Sequence, residues 1–136
     1  MKQVRSTFNL DQVIADIESH TKVNAKKAAF KAETAIKRQL TGQRSGRTYK
    51  VSKSGEVHTA SAPGESPAVL SGDLRASITT APDPKGSTAL YYVGSDKDYA
   101  VYLEKGTKYM RPRPYFEKAI KKALNDIRKE LARSMK

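Results

Sequence analysis

The sequence predicts an α+β fold, with a long N-terminal helix and a C-terminal helix packed on a small antiparallel β-sheet. Apolar residues recur at helical spacing near each end of the chain, and short β-branched and aromatic runs between turn residues occupy the middle. A long loop rich in Gly, Ser and Pro, residues 41–72, carries a hairpin. A chain of 136 residues suffices for one modest core, so a single domain over 1–136 is expected.

The first helix is predicted over residues 10–40, which contain no Gly or Pro. Asp11 lies near its start, and Gly42 follows its last periodic residue, as is usual at helix termini. Small side chains in the middle of the helix should allow another element to approach closely. The expected buried stripe comprises Leu10, Val13, Ile14, Ile17, Thr21, Ala25, Ala28, Ala32, Ile36 and Leu40.

The long loop combines turn residues with two strand-like runs. "TYKV" and "EVHT" flank "SKSG", which predicts a hairpin with Gly55 at a position of positive φ. A loop of this length is uncommon inside a compact domain and is usually functional or mobile. We interpret residues 41–72 as an extended arm that becomes ordered on a partner.

The middle of the chain predicts a second strand pair and a short helix. "DLRASITT" indicates a helical turn that leads into a strand, and "STALYYVG" indicates a strand that pairs with it antiparallel. "YAVYL" also fits strand alternation, but Asp98 as a cap and Gly106 as a stop favour a short helix there.

The last helix is predicted to begin at Pro114 and to run to about Arg133. Glu117 and Lys121 have the spacing of a favourable ion pair on its surface. Its expected apolar stripe comprises Phe116, Ala119, Ile120, Ala123, Ile127 and Leu131.

The "RPRP" that precedes this helix predicts a stiff spacer, because Pro112 and Pro114 bias the residues before them towards extended backbone. Glu104 is placed to form a bidentate pair with Arg111 or Arg113. Five aromatic residues are expected to pack the short helix against the spacer and the sheet: Tyr99, Tyr102, Tyr109, Tyr115 and Phe116.

Candidate chemical groups are few. The two histidines, His20 and His58, lie in a predicted helix and a predicted hairpin, without a serine signature of nucleophilic catalysis. Asp73 and Asp98 are explained as cap or turn residues, and there is no cysteine for a disulfide or a thiolate metal site. We therefore expect no enzyme activity, no cofactor and no metal. No secretory signal or run of roughly 20 apolar residues is present, so no membrane partner is expected.

The net charge of +12 is concentrated at the two ends of the chain. Residues 105–136 carry 11 Lys/Arg against 3 Asp/Glu, whereas residues 51–104 carry 4 against 7. Such fields attract nucleic acid or an acidic protein surface, although a solvated lysine-rich helix face remains an equal alternative. The possible DNA-facing residues of the last helix are Lys118, Lys121, Lys122, Arg128 and Lys129.

Five pieces of sequence follow one another over roughly residues 44–120: "SGRTY", "ASAPGESPAVLSGDLRASI", "YYVGS", "YAVYLEKGT" and "RPRPYFEKAI". In this order they resemble the small tail-completion, or head-to-tail joining, proteins found at the neck of long-tailed bacteriophages and prophages. Ser66 departs from the pattern where a second proline is common, and Lys105 departs where an aromatic residue often follows the glutamate.

The resemblance implies a structural virion protein that forms a ring with other copies of itself at the junction of head and tail. Its implied partners are the tail tube or tail terminator protein, the head connector or adaptor protein, and passing DNA by non-specific contact. The implied locations are the virion and, during assembly, the host cytoplasm. A small basic nucleic-acid-binding protein remains the alternative.

The resemblance also implies two groups of functional residues. A rigid corner that orients the last helix would comprise Tyr99, Glu104, Gly106, Thr107, Arg111, Pro112, Arg113 and Pro114. An arm between subunits, within residues 44–68, would include Arg44, Arg47, Tyr49, Pro63, Gly64 and Pro67.

Overall fold

The computed structural model describes residues 9–53, 55–86 and 90–134. In chain order the elements are α1 (Leu10–Gln39), β1 (Thr48–Lys50), β2 (Val57–Thr59), α2 (Asp73–Ser77), β3 (Thr79–Pro82), β4 (Tyr91–Gly94), α3 (Tyr99–Lys105) and α4 (Phe116–Leu131). The predicted α+β fold is confirmed. Its strands form two separate two-stranded sheets, β1–β2 and β3–β4.

The core forms where the C-terminal half of α1 meets the start of α4. The two helices run antiparallel, and small residues on both allow their backbones to approach closely, as the lean stripe predicted. Ala25, Ala28 and Ala32 are buried along α1. The buried core cluster comprises Ile36, Leu40, Ile78, Tyr115 and Ala119.

The first turns of α1 differ from the prediction of one continuous buried stripe. Leu10, Ile14 and Ile17 are 58%, 45% and 50% exposed. The reason is the length of α4, whose C-terminal end lies opposite His20 and Asn24: the His20 Nε2 and Asn24 Nδ2 donate to the Arg133 carbonyl at 2.7 and 2.9 Å. Within the described ranges, no element covers the turns of α1 that precede His20.

Both ends of α4 also depart from the prediction. The helix begins at Phe116 and not at Pro114, and at its other end Leu131 is exposed while Glu130 is buried. The Glu130 carboxylate lies 3.5 Å from the Lys31 ammonium and 3.1 Å from the Arg133 guanidinium. The pairing of Glu117 with Lys121 is confirmed at 2.6 Å, and this hydrogen bond lowers the pKa of the Glu117 carboxyl.

The strand predictions are confirmed in type and direction. In the hairpin, Thr48 pairs with Thr59, and Gly55 has a φ of +88° in the connecting turn. Strands β3 and β4 pair antiparallel from Thr79 opposite Gly94 to Pro82 opposite Tyr91. The first three residues of the predicted second strand, 87–89, lie outside the described residues.

The short helix α3 is confirmed, but its predicted cap is wrong. Asp98 occupies the capping position, yet its side chain makes no hydrogen bond to the helix backbone. Gly106 ends the helix as predicted, with a φ of +77°. No helix in the described part of the chain is long and apolar enough to cross a bilayer.

Candidate assembly surface

The link between α3 and α4 is a tight corner built around Gly106. The Gly106 N–H donates to the Tyr102 carbonyl at 2.8 Å. A Cβ added at this residue would lie 2.7 Å from the Met110 carbonyl oxygen and 2.8 Å from the Pro112 nitrogen. The positive φ and the close backbone approach therefore both require glycine. Thr107 closes the following turn, since its backbone N–H donates to the Met110 carbonyl at 2.9 Å.

Glu104 caps α4 across this corner. Its carboxylate accepts hydrogen bonds from the backbone N–H groups of Tyr115, Phe116 and Glu117, at 2.8, 2.9 and 3.0 Å. These are among the N–H groups that the first turn of a helix leaves without an internal partner, and a negative charge there is favourable. The capping also explains why α4 starts after Pro114.

The predicted ion pair of Glu104 with Arg111 or Arg113 is wrong: the described residues contain no such bridge. Arg113 instead joins two elements. Its backbone N–H donates to the Leu103 carbonyl at 2.7 Å, and its Nη1 donates to the Ser61 hydroxyl at 2.6 Å. Arg111 is exposed.

The loop around residues 60–67 lies against the spacer before α4. The Gly64 N–H donates to the Pro112 carbonyl at 3.1 Å, and the buried Ser66 hydroxyl donates to the Pro114 carbonyl at 2.7 Å. Ser66 also accepts a hydrogen bond from Gln39 at the end of α1. A proline at position 66, which is common there in the proteins that the sequence resembles, would lack this hydroxyl and both of its hydrogen bonds.

Glu65 and Gly46 fix the other side of the same loop. The Glu65 carboxylate accepts from the Ser45 hydroxyl, the Ser45 N–H and the Ala62 N–H, and these bonds lower its pKa to about 2. The backbone of Gly46 approaches so closely that an added Cβ would lie 2.4 Å from the Ala60 carbonyl oxygen. Residues 60–67 therefore fold onto their own chain, whereas the arm predicted over residues 41–72 was expected to become ordered on a partner.

The candidate arm residues divide between anchored and exposed positions. Arg44 donates to the carbonyls of Gln39 and Pro67, which is itself buried. The remaining four are on the surface. They are Arg47 and Tyr49 on the hairpin and Pro63 and Gly64 at the loop tip, although the backbone of Gly64 is also anchored by its hydrogen bonds to Pro112 and Lys118.

A groove opens between the hairpin, residues 67–75 and α3. It encloses a cavity of about 280 Å³, and Leu40 and Leu103 contribute to its apolar lining. Arg75 lines both this cavity and a neighbouring one, and no acidic residue of the described chain pairs with it. The exposed apolar residues at its rim are Tyr49, Val69, Leu70 and Tyr99.

The aromatic packing prediction holds for Tyr115 and Phe116 alone. Tyr115 is buried and its hydroxyl donates to the Ala100 carbonyl at 3.3 Å. Burial, together with the charge of Glu104, raises the pKa of Tyr115 to about 12. Tyr99, Tyr102 and Tyr109 are exposed, so they do not pack the corner as expected.

The five candidate DNA-facing residues share the polar side of α4, but three are engaged within the chain. Lys118 donates to the Gly64 carbonyl, Lys122 donates to Gln39, and Lys121 pairs with Glu117. Arg128 and Lys129 are exposed.

Within residues 9–53, 55–86 and 90–134, no group of three or more His, Cys, Asp or Glu side chains is arranged so that it could hold a metal ion. His20 donates to the end of α4, and His58 packs edge-on against Tyr49 with ring centroids 5.5 Å apart. Both histidines therefore have structural partners on different elements.

Sequence reasoning missed several residues that hold the corner and loop together. Ser61, Glu65 and Ser66 lie in a stretch that reads as turn and polyproline-like backbone, and their partners are 20 or more positions away in sequence. A polar residue with a distant partner leaves no periodic signal. Gly46 is part of "SGRTY", but only the fold shows that the absence of a side chain there allows its backbone to approach the Ala60 carbonyl.

Comparisons of this chain with family models, with curated proteins and with solved structures found no match. The resemblance to tail-completion proteins therefore remains a prediction that rests on the sequence motifs.

Proposed function

We propose that the chain is a structural virion protein that completes a phage tail and joins it to the head connector as part of a ring. The observation that carries this proposal is the convergence of the motif pieces on one rigid unit. The loop 60–67, the "RPRP" spacer and α3 are hydrogen-bonded together and set the start of α4. Such a unit holds a surface of fixed shape for contact with other proteins, which an assembly protein requires.

The surface around this unit supports the same proposal. The hairpin and the groove expose apolar side chains beside the corner, among them Tyr49, Leu70 and Tyr99. Exposed apolar patches near one another mark interaction sites in soluble proteins. In the ring, the hairpin part of the arm would contact a neighbouring subunit, and the corner would hold α4 in a fixed direction.

Immunogold electron microscopy of virus-like particles from an induced lysate of the source cell tests this function. An antibody to the chain is expected to label the junction of head and tail. Particles that carry no label there, from a lysate in which the antibody detects the free protein, would contradict the proposal. An antibody to a major capsid component serves as the labelling control.

Exposed Arg128 and Lys129 on α4 support the alternative, a nucleic-acid-binding protein. Phosphate contacts would make binding fall with salt, with a log–log slope of about 0.9 for each phosphate neutralised. Fluorescence anisotropy with a DNA duplex at several salt concentrations measures this slope. The alternative predicts a steep slope that becomes shallower in Arg128→Ala/Lys129→Ala, whereas the assembly proposal predicts weak binding that these substitutions barely alter.

A further inference from the structure

The first turns of α1 extend beyond the rest of the described fold. Residues 10–19 precede the point where His20 meets the end of α4, which corresponds to about 15 Å of helix. We call this segment the α1 tip. Its exposed Leu10, Ile14 and Ile17 lie on the same side of the helix as the buried alanines further along, so the tip continues a core-forming stripe.

The charge of the α1 tip is opposite to that of the whole chain. Asp11, Asp16 and Glu18 lie in it, with no Lys or Arg between Leu10 and Thr21, whereas the chain carries +12. Asp11 and Glu18 are seven positions apart and flank the same edge of the apolar stripe. The tip therefore presents an apolar strip bordered by carboxylates, which is complementary to an apolar surface bordered by cations.

The groove between the hairpin, residues 67–75 and α3 is such a surface. Its rim exposes Tyr49, Val69 and Leu70, and Arg75 stands at its edge with no acidic partner in the described residues. Nearby, the guanidinium of Arg44 donates to backbone carbonyls. Asp73 also lines the groove, but two arginines, Arg75 and Arg113, line it as well, so apolar contact area and an excess of positive charge occur together here.

A chain cannot place its α1 tip in its own groove. Leu40, directly after α1, lines the groove, and the tip is at the opposite end of the same helix. A helix of 30 residues is about 45 Å long and is stiff over that length. The tip and the groove can therefore meet only between two molecules.

We propose that the α1 tip of one copy docks in the groove of a second copy, with its carboxylates towards Arg75. This inference rests on the proposed ring and supplies the contact between its subunits. A pairing of two tips would bring their acidic edges together, whereas tip-to-groove pairing joins opposite charges. Tip-to-groove pairing uses different surfaces on the two partners, and repeated contacts of this kind form a ring when the rotation between subunits closes.

Disulfide trapping tests the contact, because the chain contains no cysteine. Full-length Ile17→Cys and Val69→Cys are mixed under mild oxidation, and disulfide-linked dimers are quantified on a non-reducing gel. The mixture is expected to give several-fold more dimer than the matched control, Ile17→Cys mixed with Lys121→Cys on the exposed side of α4. A chain that carries both Ile17→Cys and Val69→Cys should form a ladder of higher oligomers.

Two results would overturn the inference. Dimers formed chiefly by Ile17→Cys with itself would show that tips pair with each other. A yield no higher than that of the Lys121→Cys control would show that the tip stays out of the groove.

Charge exchange tests the role of Arg75. The added substitutions Asp11→Lys/Glu18→Lys in the tip partner should reduce trapping several-fold, and Arg75→Glu in the groove partner should restore it. Circular dichroism confirms that each variant is folded. If trapping succeeds while particles carry no label at the head–tail junction, the self-contact stands and the proposed function fails. If particles are labelled at the junction but no trapping occurs, the proposed function stands and the tip-to-groove contact fails.

Discussion

At the scale of single residues, the structure depends on a few polar side chains that act far from their own position in sequence. Glu104, Glu65 and Ser66 each satisfy backbone groups of another segment. Such groups are costly to leave unpaired when they are shielded from water. Single substitutions of these side chains should therefore cause measurable losses of stability or of amide protection.

The substitution Glu104→Gln removes the negative charge that caps α4. We expect the free energy of unfolding to fall by about 1 kcal/mol, because a neutral amide oxygen interacts less favourably with the helix N-terminus. Urea denaturation followed by circular dichroism measures the change. Glu56→Gln, on the exposed hairpin, is the matched control, and an equal loss in both variants would contradict the capping role.

Glu65 should make the loop sensitive to acid. Its pKa of about 2 in the folded chain lies below the ordinary value of 4.5, so its stabilising contribution is complete above about pH 4.5 and is lost as the pH falls towards 2. The protection factor of the Ala62 amide, which is its hydrogen exchange relative to the intrinsic rate at each pH, should fall over this range. In Glu65→Gln the protection factor should be low throughout and should not show this fall. An Ala62 amide equally protected in both proteins would contradict the assignment.

At the scale of elements, the helices and strands were predictable because local patterns determine them. The apolar periods of α1 and α4, the glycine of the hairpin turn and the stop at Gly106 are all present in the sequence. The capping of α4 was not predictable, because Glu104 is 11 residues or more from the residues whose N–H groups donate hydrogen bonds to it. Burial along α1 was misjudged because it depends on where its partner helix ends.

The corner between α3 and α4 should tolerate no side chain at Gly106. Gly106→Ala is expected to destabilise the fold by more than the roughly 1–2 kcal/mol of a left-handed backbone alone, since its Cβ also meets the backbone. Gly64→Ala, with positive φ but open space, should show the backbone cost only. Gly94→Ala, with open space and no positive φ, should be nearly neutral. Thermal and urea denaturation would rank the three, and any other order would contradict this account.

The close contact between α1 and α4 should reject larger side chains. Ala28→Leu is expected to lower the free energy of unfolding by about 1–3 kcal/mol, because the added atoms separate the two helices. Ala15→Leu, at an exposed position of the same helix, is the control and should change stability little. Equal effects in the two variants, measured by urea denaturation, would show that the helices do not pack closely at Ala28.

At the scale of the whole molecule, stability should be unevenly distributed. The buried cluster joins α1, α4 and Ile78 between α2 and β3, whereas the hairpin and the α1 tip project from it with exposed side chains. Regions with few buried contacts open at low free-energy cost. Native-state hydrogen exchange should therefore be slowest in residues 24–39 and 119–128 and fast in residues 48–59 and 13–18. Uniform protection along α1 in the isolated protein would contradict this distribution.

The pairing of α1 with α4 also has a kinetic consequence. Residues that meet in the core, such as Ile36 and Ala119, are far apart in sequence. The chain between them must therefore become compact before they make contact. Folds dominated by such distant contacts cross the folding barrier more slowly than helical proteins with local contacts. Until α4 arrives, the alanine side of α1 lacks the helix that packs most extensively against it. Refolding should therefore be slow for so helical a protein, and the long helix is expected to become stable only in the final step.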